Sequence, residues 1–145
     1  MSRERYWLAA ISKEHILRGV KGGFIQVCHG KEAQLKRMSA ADWLIVYSSK
    51  ISMERNEKCQ AFTAIGQVAD DNIYQHQINE KFIPYRRNVK FYKCNETPIY
   101  SLIDFLEFIP DKKHWGYPFR FGFLEINKSD FNLIKSQVMK NEKNE

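Results

Sequence analysis

The chain has 145 residues, a net charge of +6 and a hydrophobic fraction of 43%. This length fits one domain, predicted over residues 1–145, with one sizeable core. The ordinary hydrophobic fraction excludes an intrinsically disordered chain, and the longest apolar runs, such as WLIVY, are too short to span a bilayer. The N-terminus lacks an apolar region of signal-peptide length, so we expect a cytoplasmic, monomeric protein with no membrane partner.

The N-terminal half predicts buried strands separated by short helices and turns. Ser12 is a candidate N-cap for the first helix, and Gly66 within a strand indicates a bulge or a close backbone approach. The predicted segments are a buried strand at 6–12, a helix at 13–20, an extended stretch at 24–29, helical turns at 31–38, a buried strand at 43–49, a polar loop at 50–58 and a strand at 60–70.

The C-terminal half predicts two more strands before a helix, a loop, a last strand and a final helix. Thr97 and Pro98 are a typical helix start, and Ile99, Leu102, Ile103 and Leu106 would share one helical face. The other predicted segments are strands at 72–78 and within 82–93, a loop at 110–118, a strand at 119–126, a helix capped by Ser129 with the stripe Phe131, Ile134 and Val138, and a frayed tail at 140–145.

Cysteine and histidine placement predicts no catalytic residue, metal site or cofactor. Cys28, Cys59 and Cys94 are odd in number and form no CxxC pair, which argues against disulfides and structural zinc. Common hydrolase, kinase and dinucleotide motifs are absent from the sequence. Cys28 and His29 are neighbours on a predicted strand, where adjacent side chains point to opposite faces and pair poorly.

Two stretches are candidates for ligand binding. In GGFIQVCHGK, Gln26, His29 and Lys31 would line a pocket, or the stretch is simply an edge strand with a loop. In the loop KKHWGY, Trp115 would either stack on a flat ligand or cap the core. Tyr85, which precedes two arginines, would likewise either stack on a base or pack in the core. The basic excess permits a nucleic-acid partner, although many basic surfaces bind nothing.

Several blocks together resemble the bacterial EVE-domain proteins of the PUA-like superfamily, which also contains the YTH and ASCH domains. The resemblance covers about residues 5–138 in the same order, and its blocks are YWLAAIS, GGFIQVCHGK, DWLIVYS, AFTAIGQV, PYRRNVKFY and DKKHWGYPFRFGFLEI. It implies a mixed α+β fold, with a small curved sheet or open β-barrel surrounded by short helices and a C-terminal helix. It also implies a non-catalytic pocket for a modified base of DNA or RNA.

The resemblance also implies where that pocket lies. Ser12 matches a pocket-edge position of YTH-like domains, and FIQVCHG takes the place of their first pocket loop but lacks its tryptophan. The implied ligand-binding residues are Ser12, Phe24, Gln26, Val27, Cys28, His29, Lys31, Tyr47, Ser48, Tyr85, Trp115, Tyr117 and Arg120. Lys31, Arg86 and Arg87 would contact the nucleic-acid backbone.

Three functions therefore stand as hypotheses. The first is a reader module for modified nucleic-acid bases, which performs no reaction. The second is an enzyme acting on a nucleotide or small metabolite, with Cys28 or His29 in its site. The third is a sensor whose pocket holds a free nucleobase or an acid. Oligonucleotide binding, turnover and binding of free nucleosides distinguish them.

Overall fold

The computed structural model describes residues 4–140, and the predicted tail lies almost wholly outside this range. Its helices are α1 (Lys13–Gly22), α2 (Ala33–Arg37) and α3 (Lys128–Val138). Its strands are β1 (Tyr6–Ala10), β2 (Phe24–Ile25), β3 (Trp43–Lys50), β4 (Lys58–Gln75), β5 (Tyr85–Tyr92), β6 (Thr97–Pro98) and β7 (Phe123–Ile126). Short 3₁₀ segments cover Cys28–Gly30, Ile99–Ser101, Ile103–Phe105 and Tyr117–Phe121.

The strands form one mixed sheet that stays open. Its order is β2-β5-β4-β3-β1-β7, and β6 adds a short pairing to β4. β1 and β3 run parallel, with Leu8 opposite Ile45, whereas the other pairs are antiparallel. The predicted fold class, a mixed α+β architecture with an open sheet and a C-terminal helix, is confirmed.

Both faces of the sheet are buried. Leu8 and Ile45 pack with Phe131 of α3 on one side, whereas Trp7 and Leu44 pack with other apolar residues on the opposite side. Successive strand residues point to opposite faces, so a strand covered on both sides needs a continuous apolar run. This explains why β1 and β3 are apolar throughout their centres and why both were predictable.

Several predicted strand boundaries are wrong. The first strand ends at Ala10, and the two strands predicted at 60–70 and 72–78 are one long β4. The register with β5 shifts between Val68 and Ile73, which lets the strand continue through its polar stretch. The predicted close approach at Gly66 is present, since a Cβ there would lie 2.7 Å from the Lys90 carbonyl oxygen.

The α-helix predicted from Thr97 does not form. Thr97 and Pro98 pair with Phe62 and Ala61 of β4, and 3₁₀ turns follow. This pairing keeps the backbone extended at the expected helix start, so two short 3₁₀ segments form there and no α-helix. The four apolar residues Ile99, Leu102, Ile103 and Leu106 are nevertheless buried.

The last strand is shorter than predicted. Residues 117–121 form a 3₁₀ segment that ends at Gly122, whose φ of 76° breaks the expected alternation before β7. Phe119 is buried, whereas the Phe121 side chain is 63% exposed. At the final helix, Asn127 and not Ser129 is the N-cap, and its side chain accepts a hydrogen bond from the Asp130 N–H.

Candidate functional site

A cavity of about 490 Å³ opens where β1 ends, and we call it the first cavity. Its polar lining residues are Ser12, His15, Gln26, Cys28, His29, Lys31, Gln34 and Arg120. Its remaining lining residues are Ala10, Ile11, Met53, Phe82, Phe121 and Gly122. The volume falls within the range of about 300–1,000 Å³ that is typical of small-molecule sites.

Backbone conformation brings the walls of the first cavity together. The Ala10 N–H donates to the Gly122 carbonyl at 2.9 Å, which joins the end of β1 to the segment carrying Arg120. Cys28 and His29 adopt left-handed φ values of 47° and 62°, so the stretch after β2 curls instead of extending. The expectation that these two side chains point to opposite faces of a strand is therefore wrong, because both line the cavity.

Gln26 presents a hydrogen-bond donor to the first cavity. Its side chain is buried, and its Oε1 accepts a hydrogen bond of 3.1 Å from Arg86 Nε. A guanidinium can only donate, so this contact determines which end of the amide faces Arg86. Within residues 4–140 the Gln26 Nε2 has no other partner and is left to donate. Arg86 itself lies 3.9 Å from the centre of the Phe24 ring.

Gln34 of α2 adds an acceptor to the same cavity. Its Oε1 is buried and has no hydrogen-bond partner in the described chain. An unpaired buried polar atom costs about 1–3 kcal/mol of folding free energy. A ligand N–H donor in the cavity would remove that cost, so the arrangement favours a ligand that carries donors and acceptors on one edge.

The charges of the first cavity suit an electron-rich or anionic ligand. Lys31 and Arg120 contribute to its wall, and its lining residues include no carboxylate. Burial, with help from Arg18 and Arg86, lowers the pKa of His15, which keeps its ring neutral near pH 7. Burial raises the pKa of the Cys28 thiol, although Lys31 opposes the shift, and a protonated thiol is a weak nucleophile.

A second cavity of about 230 Å³ lies beside Trp115 and is lined mainly by aromatic and polar side chains. Its walls include Tyr47, Ser49, Gln60, Lys113, Trp115 and Phe119. Trp115 is half-buried, and its ring meets Tyr100 edge to face at 5.9 Å between centroids. Tyr117 instead lines a third, mostly apolar cavity of about 330 Å³ with Pro110 and Pro118.

The structure brings together six of the residues expected to bind a ligand and separates the rest. The six in the first cavity are Ser12, Gln26, Cys28, His29, Lys31 and Arg120. Val27 is in the core, and Tyr85 is half-buried against it. The buried Ser48 hydroxyl donates to the Ile11 carbonyl at 2.6 Å. The Phe24 ring lies under Arg86. Neither Phe24 nor Tyr85 lines any of the three cavities described above.

Arg87, expected to contact the nucleic-acid backbone, is instead a buried residue with a structural role. Its side chain is 3% exposed and donates to the carbonyl oxygens of Leu35, Met38 and Asp70 at 2.8–2.9 Å. These contacts use its guanidinium to join the end of α2 to β4. Arg86, one residue earlier on the strand, points to the other face and reaches Gln26.

Sequence reasoning missed several lining residues of the first cavity, above all His15 and Gln34. His15 follows Ser12 by three residues, which is one helical turn, so the helix predicted at 13–20 could have indicated it. Gln34 carries no such signal, because only the docking of α2 turns its amide inward. Within residues 4–140, no group of three or more His, Cys, Asp or Glu side chains is placed to hold a metal ion.

Fold and site together define a mixed α+β domain with an open sheet and a ligand-sized polar cavity at the end of its first strand. A family model described as "EVE domain" matches residues 5–137, and the chain belongs to that family. The part of the chain that the structure describes contains no helix with the length and apolar character needed to cross a bilayer.

The chain is also similar to curated proteins in sequence and to solved structures in fold. The chain is 52% identical to a UPF0310 protein of Bacillus licheniformis over 89% of this chain and 88% of that one. It is 44% identical to the UPF0310 protein YdcG of Bacillus subtilis over 89% and 88% of the two chains. Its fold is similar to a YTH domain-containing protein, mmi1, solved with RNA, with a TM-score of 0.61, 15% identity and coverage of 95% and 85%. A hypothetical protein from Leishmania major gives a TM-score of 0.60 at 13% identity, with coverage of 99% and 98%.

Proposed function

We propose that this protein is a non-catalytic nucleic-acid-binding module whose first cavity receives a single base. The observation that carries the proposal is the pair of amides that line the first cavity, Gln26 and Gln34. Gln26 offers a donor oriented by Arg86, and Gln34 offers an acceptor without a protein partner. The Watson–Crick edge of every nucleobase presents a donor beside an acceptor, which is the complement of this pair. The RNA-bound YTH protein of similar fold supports the same reading.

A base must leave its stack to enter such a cavity. Extrusion costs a few kcal/mol, least where the strand is already single or the pair is weakened. The amides supply edge contacts, and the exposed Phe121 at the wall offers a ring against which the base can pack. Hydrogen bonds and stacking in the first cavity would therefore offset the free-energy cost of extruding the base.

We further propose that the base is a modified one. The lining combines the two amides with apolar surface from Ile11, Met53 and Phe82. A substituent such as a methyl group gains free energy from apolar contact, whereas an unmodified base leaves that surface wet. Lys31 and Arg120 would hold adjacent phosphates, and such contacts weaken as salt concentration rises.

The test is binding of modified and unmodified DNA and RNA oligonucleotides at two salt concentrations, measured by fluorescence anisotropy. We expect tighter binding at low salt and a preference for at least one modified base. Absence of binding at low salt across a broad panel would contradict the proposal.

The variant Gln34→Met makes the test specific to the first cavity. It removes the unpaired acceptor and retains a similar volume, so we expect unchanged or higher stability and about tenfold weaker oligonucleotide binding. The matched control is Gln137→Met, which changes an exposed glutamine of α3 and should alter neither property. Equal affinity of Gln34→Met and wild type would argue against base recognition by Gln34.

A second candidate function is an enzyme or sensor for a free nucleotide or small metabolite. The observation in its favour is that Cys28 and His29 both line the first cavity. The raised pKa of the Cys28 thiol weighs against a thiolate nucleophile there. Turnover that disappears in Cys28→Ser would favour the enzyme. Calorimetry with free nucleosides that bind as tightly as oligonucleotides would favour the sensor.

A further inference from the structure

The second cavity is lined by Tyr47, a core residue that carries a polar hydroxyl. Tyr47 is 2% exposed, and its ring stacks on Phe119 at 4.0 Å between centroids. Within residues 4–140 its hydroxyl makes no hydrogen bond, although the residue lines the cavity. Burial raises the pKa of Tyr47 well above its usual range, so the hydroxyl remains protonated and is a donor.

An irregularity in the sheet adds two polar side chains beside this hydroxyl. The β3–β4 register shifts between Ser48, opposite Ala61, and Lys50, opposite Lys58, so two residues oppose Ser49. One of those two is Gln60, whose φ of 50° is left-handed and costly for a residue with a side chain. Bulges of this kind re-aim side chains, and both Ser49 and Gln60 line the second cavity.

The rim of the second cavity offers an aromatic ring and positive charge. Trp115 forms part of the wall, and Lys113 lies two residues before it. His114 also lines the cavity, and its Nδ1 contacts the Asp111 carboxylate at 2.8 Å. A ring beside amide, hydroxyl and ammonium groups suits a planar, polar ligand that carries negative charge.

Lining residues of the first cavity lie next to lining residues of the second. Ile11 lines the first cavity, and its N–H donates to the carbonyl of Tyr47, which lines the second, at 3.0 Å. On the opposite side, Phe119 lines the second cavity and the next residue, Arg120, lines the first. One extended strand of nucleic acid could therefore place neighbouring nucleotides in the two cavities.

We propose that the second cavity binds the nucleotide adjoining the one held in the first cavity. Its base packs against Trp115, and the Tyr47 hydroxyl and the Gln60 amide contact its polar edge. This inference rests on the proposed function and deepens it, because the ligand then becomes a strand of at least two unpaired nucleotides and not a lone base.

The experiment compares a mononucleotide with a dinucleotide that carries the same preferred base, using calorimetry on the full chain. The key variant is Tyr47→Phe, which removes only the hydroxyl. Because that hydroxyl has no protein partner, we expect an unchanged Tm, an unchanged mononucleotide affinity and dinucleotide binding weakened about threefold to tenfold. Trp115→Ala should weaken dinucleotide binding about tenfold and leave mononucleotide binding unchanged.

Tyr92→Phe is the matched control. The Tyr92 hydroxyl donates to Gln67 Oε1 at 2.7 Å, away from both cavities, so its removal should lower Tm without changing either affinity. Equal dinucleotide affinities for wild type, Tyr47→Phe and Trp115→Ala would overturn the inference. So would a wild-type protein that binds both ligands equally, and the proposed function would then still stand. A protein that binds neither ligand nor any longer oligonucleotide would overturn both proposals.

Discussion

The two neighbouring cavities differ in what their walls are made of. The first is lined by two amides, two histidines and two cations, and Phe82 and Phe121 are the aromatic residues among its walls. The second is built around Tyr47, Trp115 and Phe119, with fewer charges. The buried atom without a hydrogen-bond partner in the first cavity is Gln34 Oε1, whereas the second cavity is lined by Tyr47, which carries a hydroxyl. The sequence predicted one ligand pocket, but the structure distributes the expected residues among separate cavities.

This division follows from which residues the core needs. Tyr47 and Phe119 stack on each other inside the core, so most of their ring surface is unavailable to a ligand. The first cavity lies at the end of β1, where α1 contributes His15 and α2 contributes Gln34. Aromatic richness in the sequence therefore marks packing as much as binding, and the ligand-facing groups are mostly polar.

The largest effect is expected from Arg87→Met. Loss of the guanidinium leaves the carbonyls of Leu35, Met38 and Asp70 unpaired, so we expect unfolding free energy to fall by about 3 kcal/mol. Urea denaturation measures this, with the exposed Arg55→Met as control. Because α2 carries Gln34, mononucleotide binding at the first cavity should also weaken. A variant as stable as wild type would contradict a structural role for Arg87.

Gly122→Ala should cost about 1–2 kcal/mol of stability, because alanine is strained at a φ of 76°. The added Cβ would lie 3.4 Å from the Cys28 Sγ and would enter the first cavity, so mononucleotide affinity should fall severalfold. Gly116→Ala is the matched control at the second cavity. Gly116 has a φ of −75°, and a Cβ added there would have no atom within 4 Å, so the Tm should be unchanged or slightly higher.

Arg86→Met should weaken base binding at the first cavity by about 1 kcal/mol. Without the guanidinium, the Gln26 amide can turn and present either its oxygen or its nitrogen. We therefore expect a smaller difference in affinity between bases as well as weaker binding, measured on a set of mononucleotides. Arg86→Lys keeps a donor and should restore part of the selectivity. Unaltered base preference in Arg86→Met would show that Arg86 does not orient Gln26.

The smallest expected effect is a pH dependence from His15. The folded-state pKa of His15 is lowered below its ordinary value of about 6.5, so the unfolded chain takes up the proton first. The stability that neutral His15 contributes is fully present above about pH 6.5 and is lost progressively as the pH drops toward the lowered pKa. His15→Gln should flatten this slope, and the exposed His76→Gln should retain it. Chemical denaturation between pH 5 and about pH 8 decides the matter.

Local pattern was sufficient for the elements that are buried on one stripe or on both faces. The continuous apolar runs of β1 and β3 and the stripe Phe131, Ile134 and Val138 of α3 were predicted, because period and burial agree there. The segment after Tyr117 was misassigned, since its phenylalanines alternate like a strand while Pro118 and Gly122 favour a tight turn. The start at Thr97 failed because pairing with β4 competes with helix formation.

From the residues alone, the candidate site was predictable where its residues lie close together in the chain, whereas Ser12 and Arg120 were indicated by the resemblance. Gln26, Cys28, His29 and Lys31 form one stretch, and all four line the first cavity. Gln34 and Phe121 gave no signal, since neither spacing nor composition shows that α2 and a 3₁₀ segment face the same space. Trp115 was correctly placed in a loop, but its neighbours in space could not be read from its neighbours in sequence.

By itself, the amino-acid sequence determined the buried strands and the basic excess, because these depend on composition and on short-range periodicity, and its blocks indicated the family by resemblance. Tertiary structure alone decided which polar groups are left without partners. Arg86 and Arg87 are adjacent on β5, yet Arg86 donates to the amide of Gln26 and Arg87 donates to backbone carbonyls. The physical reason is that alternate strand residues face opposite sides of the sheet, and only the docking of α1 and α2 determines what each side meets.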